Sequence, residues 1–138
     1  MSFATVILSG IRQGKWPSKY PSCKGRQQSP VAIETKSVNT TVAMDRILYN
    51  EYNTPVTKAT ILNNGHTVQI FPEDGVTRSI QTKVSKYILQ QVHFHWGSQN
   101  NAGSEHTLDG IRYDLEAHFV HKNEHNDLAV VAALFKVR

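Results

Sequence analysis

Lys86-Tyr87-Ile88-Leu89-Gln90-Gln91-Val92-His93-Phe94-His95-Trp96 is the stretch on which the reading of this chain turns. It is rich in β-branched and aromatic residues and predicts a β-strand. Side chains on a strand alternate faces with a period of two. Gln91, His93 and His95 therefore share one face, and Val92, Phe94 and Trp96 share the other. Two imidazoles two residues apart on a stiff strand can converge on one metal ion. The apolar residues behind them would lock the backbone in the core.

Downstream, Arg112–His121 alternates in the same way and predicts a second strand. Glu116, His118 and Val120 fall on one face, and Ala117, Phe119 and His121 on the other. If the two strands lie side by side, His118 completes a three-histidine set with His93 and His95. Three neutral nitrogen ligands leave Zn²⁺ an open fourth position, the pattern of a catalytic site. Gln91 and Glu116 each stand two residues before a ligand, on the ligand face. There they can accept the second ring N–H of a ligand histidine and fix its orientation. A strand histidine taken alone reads as a core or surface residue. The third histidine of matching parity and the two acceptors turn the reading towards metal.

The remaining segments read mostly as short strands. Leu128–Val137 is a nearly continuous apolar run that suits a central strand buried on both faces. A helix competes there, because short apolar runs cannot be typed by periodicity. Three Ala favour helix and four Val/Phe favour strand, so strand is preferred. The polar loop Lys122–Asp127 has hairpin length. Upstream, Ala59–Leu62 leads through the turn signal Asn63-Asn64-Gly65 into the strand Thr67–Phe71. Pro72-Glu73-Asp74-Gly75 closes that strand, and Val76–Ile80 is expected to pair back on it as a hairpin. Met1–Ser29 reads as irregular, broken by Pro17 and Pro21 and by Gly10, Gly14 and Gly25, with Pro30 just beyond. The predicted fold is mainly β with an irregular N-terminus, an α+β roll around a central, twisted, largely antiparallel sheet.

Composition narrows the function classes. At 138 residues the chain suits one domain, and no linker or repeat divides it. With 39% hydrophobic and 19% charged residues it is neither a disordered polyelectrolyte nor a membrane protein. No apolar run nears the ~20 residues of a membrane span. The net charge is +4 and the pI about 9.3. Yet Lys and Arg are scattered, densest at Lys24 to Arg26, with no basic stripe interleaved with aromatics; nucleic acid is not the expected partner. Five of the seven histidines fall within Lys86–His121. The lone Cys23 excludes an internal disulfide framework and a Cys-rich zinc site. It reads either as a buried free thiol or as half of a disulfide with a partner outside this chain. Phe3–Leu8 is too short, and lacks the basic lead, of a signal peptide. Asn39-Thr40-Thr41 fits the glycosylation acceptor triplet.

The metal motifs resemble one family. Val92-His93-Phe94-His95-Trp96-Gly97, Gly103-Ser104-Glu105-His106-Thr107 and Glu116-Ala117-His118-Phe119-Val120-His121 look like the active-site signature of the alpha-class carbonic anhydrases. Trp16-Pro17, Gln28-Ser29-Pro30-Val31, Leu62-Asn63-Asn64-Gly65-His66 and Leu128-Ala129-Val130-Val131 match in order and spacing. The cupins also open a metal motif with two alternating histidines, but they want a Glu about four residues later. Here the next acid is Glu105, ten residues past His95.

The resemblance implies a partial carbonic anhydrase domain over 16–138, behind a divergent segment over 1–15. It implies reversible hydration of CO₂ to bicarbonate and a proton, by a zinc-hydroxide mechanism. His93, His95 and His118 would be the zinc ligands, with Gln91 and Glu116 as the acceptors behind them. His66 would shuttle the proton, a role that suits an accessible imidazole. Val120 and Val130 would line the apolar pocket for CO₂, and Gln69 the polar side. Glu105 would orient a threonine hydroxyl. Arg138 falls near the middle of the family's domain, so that threonine and several strands are expected beyond it. An unpaired sheet edge is then expected, with self-association through it. The alternative is a non-catalytic carbonic-anhydrase-related fragment or binding module, although such relatives typically lose a ligand histidine and this chain keeps all three. Secreted members carry a cysteine at the place of Cys23, paired with one in the second half, and the short 122–127 loop resembles secreted and bacterial forms. This implies an extracellular parent protein, with a cytoplasmic location as the alternative.

Overall fold

The computed structural model describes residues 18, 20–26, 28–38, 46–98 and 102–137. Trp16-Pro17, the Asn39-Thr40-Thr41 triplet and the segment 1–15 lie outside the described residues. The order is β1 (Ala32–Ile33), β2 (Leu48–Asn50), β3 (Ala59–Asn63), β4 (Val68–Pro72), β5 (Ser79–Gln81), β6 (Lys86–Trp96), β7 (Thr107–Leu108), β8 (Leu115–Lys122) and β9 (Leu128–Phe135). Short 3₁₀ turns occupy Pro21–Lys24 and Thr35–Ser37. Among the described residues no helix is long and apolar enough to cross a membrane. The predicted mainly β, largely antiparallel architecture is the one found.

β6 is the axis of a seven-stranded sheet. One of its edges pairs with β5 near its start and with β4 near its end, both antiparallel. β2 adds outside β5, and β3 outside β4. The other edge of β6 runs along β8, and β9 pairs with β8. β1 and β7 form a separate parallel pair.

The β3–β4 hairpin forms where the turn signal predicts it. Asn64 Oδ1 accepts from the backbone N–H of His66 and Thr67, and Gly65 adopts φ +82°, which suits glycine. The β8–β9 hairpin also forms across the expected loop, with Asn123 Oδ1 accepting from the backbone N–H of His125 and Asp127.

Two expectations are corrected. Val76–Ile80 does not fold back on β4, because β4 and β5 lie end to end along the same edge of β6. The chain between them jogs sideways around a buried ion pair. Arg78 donates to Asp74 Oδ2 at 2.9 Å and to the carbonyls of Thr54 and Pro55, so the side chain fastens this corner to the loop after β2. Nor is β9 a strand buried on both faces. Among the described strands it pairs only with β8, leaving Leu128, Val130 and Phe135 at 65%, 52% and 48% exposure.

Apolar burial is thin throughout. Among the described residues Ile80 and Ala117 are the buried hydrophobics, and Trp96, expected in the core behind the ligand face, is 39% exposed. Polar ties therefore hold much of the sheet. Thr67 Oγ1 donates to the Phe94 carbonyl and accepts from the Phe94 N–H, joining the start of β4 to β6 beyond their paired residues. Behind the sheet, the Tyr52 hydroxyl meets Nε2 of the buried His121, whose Nδ1 donates to the Ala129 carbonyl at 3.3 Å. Burial, with Tyr49 nearby, pushes the Tyr52 hydroxyl up to about 12, and burial lowers His121, so both stay neutral at physiological pH.

The hydrogen bond from Arg78 holds the Asp74 carboxyl below the ordinary aspartate range. A carboxyl depressed in the folded state adds stability above its ordinary value and loses it as the pH falls. Urea midpoints of the chain should therefore fall between about pH 5 and about pH 3, and those of Asp74→Asn should fall less. Parallel declines for the two proteins would mean that the pair contributes nothing to acid sensitivity.

Candidate metal centre

The register of β6 with β8 builds the site. His93 and His118 are direct cross-strand partners, as are His95 and Glu116, and Gln91 and Val120. Cross-strand partners share a face, so Gln91, His93 and His95 stand with Glu116, His118 and Val120 as the alternation predicts. β4 and β9 extend these rows. Gln69 pairs with His93, Ala132 with His118, and Val130 with Val120.

The three imidazoles converge. Ring centroids of His93, His95 and His118 lie 4.5–5.1 Å apart. One nitrogen of each lies within 4.8 Å of the others. Gln91 Oε1 lies 3.1 Å from Nδ1 of His93, which leaves Nε2 for the centre. Glu116 Oε1 lies 2.6 Å from Nε2 of His118, which leaves Nδ1. His95 Nε2 is buried and has no hydrogen-bond partner. A buried nitrogen without a partner is costly, and an ion among the three rings would satisfy it. Burial lowers the pKa of His93 and of His95, and the neighbouring imidazoles add to it, which favours the neutral form that ligates. Three neutral imidazoles suit a divalent ion of the zinc class.

Glu116 is the support of this arrangement. It is fully buried, and its two oxygens meet four groups: the rings of His106 and His118, and the backbone N–H of Glu105 and His106. Burial opposes its ionisation, but the hydrogen bonds from His106 and His118 outweigh it and hold the carboxyl at about 2. The same carboxylate thus orients His118 and fixes the loop that carries Glu105. Gly103 lets this loop approach β8, since a Cβ there would lie 1.8 Å from the Asp114 carbonyl oxygen. His106, Glu116 and His118 also form a metal-like group, but their hydrogen bonds to one another account for it.

The remaining predicted residues have definite positions. Glu105 turns its carboxylate towards the histidines, 3.3 Å from Nε2 of His95. His66 is exposed at the tip of the β3–β4 hairpin. Gln69 accepts from Asn64 Nδ2 at 3.2 Å, linking that tip to the ligand row. Val120 is half-buried and Val130 is exposed. The sequence reading assigns no site role to His106 or Thr67, and gives Asn64 only a turn. His106 and Asn64 each left a signal, His106 next to Glu105 in one matched motif and Asn64 in the turn signal of another. The hydrogen bonds of Thr67 to Phe94 exist only once β4 lies against β6, whereas those of Asn64 stay within its own hairpin.

Compared with known proteins, residues 11–138 match the family model of eukaryotic-type carbonic anhydrases. The chain belongs to that family. It is 39% identical to carbonic anhydrase 6 of the dog, across 99% of this chain and 46% of the dog protein. Against human carbonic anhydrase 6 the identity is 35%, across 97% of this chain and 47% of the human protein. Horse carbonic anhydrase 3 is 39% identical across 78% of this chain and 42% of its own length. The chain thus spans about half the length of the curated relatives it matches.

In this chain, Glu116→Gln keeps the shape but removes the charge that four donors converge on. It should lower stability by about 2–4 kcal/mol, the cost of unpairing buried donors from an ionised acceptor. Urea unfolding measures it, and a loss under about 1 kcal/mol would mean that the donors find other partners.

Proposed function

We propose that this chain is the zinc-binding part of a carbonic anhydrase and catalyses the reversible hydration of CO₂ to bicarbonate and a proton. The observation that carries the reading is the convergence of three imidazoles whose outer nitrogens on His93 and His118 are already engaged by Gln91 and Glu116. Zinc, when bound, supplies a Lewis acid that makes water nucleophilic near neutral pH. His93, His95 and His118 hold it. Gln91 and Glu116 keep the ligand rings turned inward. Val120 and Val130 offer an apolar wall where CO₂ is held, and Gln69 offers the polar side. His66 passes the proton to buffer, which its exposure on the hairpin tip permits. The threonine that Glu105 would orient is expected outside this chain.

The domain reading of 16–138 behind a divergent 1–15 belongs to the same proposal. So does an extracellular parent protein, for which Cys23, a free and partly exposed thiol, is open to a partner elsewhere. The β9 edge supports self-association, since its eight residues include neither a charge nor a proline.

One observation favours the alternative, a non-catalytic binding module. The Val130 side of the proposed pocket stands open to solvent. Stopped-flow CO₂ hydration by the zinc-loaded chain, beside His93→Ala, separates the two. Activity above the variant is expected. Equal rates would leave the chain a metal-binding module without hydratase activity.

A further inference from the structure

The tip of the β3–β4 hairpin carries Asn64-Gly65, the one Asn-Gly pair in the chain, and residues 63–66 are all exposed there. Asn64 Oδ1 accepts the backbone N–H of His66 and that of Thr67, each at 2.9 Å. Two N–H groups aimed at one oxygen polarise the carbon behind it, Asn64 Cγ. They also stabilise the negative charge that the oxygen gains when a nucleophile adds to that carbon, as the donors of an oxyanion hole do.

A nucleophile stands next in the chain. The Gly65 backbone nitrogen closes a five-membered ring when it bonds to Asn64 Cγ. Its N–H donates to Asn63 Oδ1 at 3.0 Å, so the hydrogen that must leave already points at an acceptor. The space around the ring closure is open, since a Cβ at Gly65 would meet no atom within 4 Å. Asn63 lacks the same opening, because the residue after it carries a side chain.

We propose that Asn64 is a self-modifying residue, whose carboxamide the folded hairpin activates for attack by the Gly65 nitrogen. The N–Cγ bond forms and the attacking nitrogen gives its proton to hydroxide. The Cγ–Nδ2 bond breaks, and Nδ2 takes a proton from water and leaves as ammonia. Water then opens the resulting cyclic imide at either carbonyl, which leaves an aspartyl or an isoaspartyl residue at position 64. No oxidant, metal or cofactor enters the balance. In both products Nδ2 is gone, and with it the donor that ties the tip to Gln69 Oε1 at 3.2 Å. Conversion therefore unties the hairpin tip from the ligand row and places a negative charge two residues before His66.

Ageing of the full chain in warm, mildly alkaline buffer tests this. Mass spectrometry of the tryptic peptide Ala59–Arg78 follows the change from amide to acid, and fragmentation of the peptide assigns it to position 63 or 64. The isoaspartyl product is scored with protein isoaspartyl methyltransferase. Conversion is expected at position 64. The folded chain should convert faster than the chain unfolded in urea, by about tenfold or more where both donors serve as the oxyanion site, because unfolding removes them from Oδ1. In Asn64→Gln the longer side chain must close a six-membered ring, and conversion at position 64 should be lost. A folded rate equal to or below the rate in urea would overturn the proposal, because the hairpin would then shield Asn64 rather than activate it. Conversion at Asn63 in place of Asn64, or an isoaspartyl yield that Asn64→Gln leaves unchanged, would overturn it as well.

Discussion

The register between β6 and β8 is the constraint on which the site depends. His93 stands opposite His118, and the neighbouring pairs follow from that one match. A slip of one residue would turn His118, Glu116 and Val120 to the other face and bring Ala117, Phe119 and His121 forward. Register is secure where the two faces differ in chemistry, and here they do. The front carries imidazoles and their acceptors. The back carries Phe119 and His121 under Tyr52, whose ring meets that of Phe119 edge-on with centroids 6.3 Å apart.

Glu116 converts this register into a site. A buried carboxylate without donors would be expensive, and its four donors come from β8 itself and from the loop before it. Satisfying that one charge orients the His118 ring and places Glu105 beside His95. The three-histidine cluster and the loop are therefore parts of one hydrogen-bonded network, in which Gly103 supplies the close approach.

Polar ties rather than a thick apolar core organise much of what is described. The Arg78–Asp74 pair turns the chain between β4 and β5, and Thr67 stitches the start of β4 to β6. Large apolar side chains stand exposed on β2, β3 and β9, including Leu48, Ile61 and Leu128. These surfaces follow from the sheet's geometry: β3 and β9 have no partner beyond their outer edges among the described strands.

Alternation along Gln91–His95 and Glu116–Val120 determined, from the sequence alone, which residues share the ligand face. Period two is a local property of an extended backbone and needs no knowledge of partners. The same is true of the Asn64-Gly65 turn, whose side-chain and backbone bonds are all short-range. Tertiary structure decided the rest. A bulge between Leu89 and Gln91 resets the alternation, so that Leu89 pairs with His121 on the back rather than joining the ligand face. Pairing partners also escaped local reading, because Val76–Ile80 extends the edge already begun by β4 instead of folding onto it. The position of Glu105 against His95, and the three donors that residues 105 and 106 bring to Glu116, join residues 10 or 11 positions apart across a loop that no periodicity describes. Such contacts are set by where separate strands come to rest, and a sequence read along its own length carries no measure of that distance.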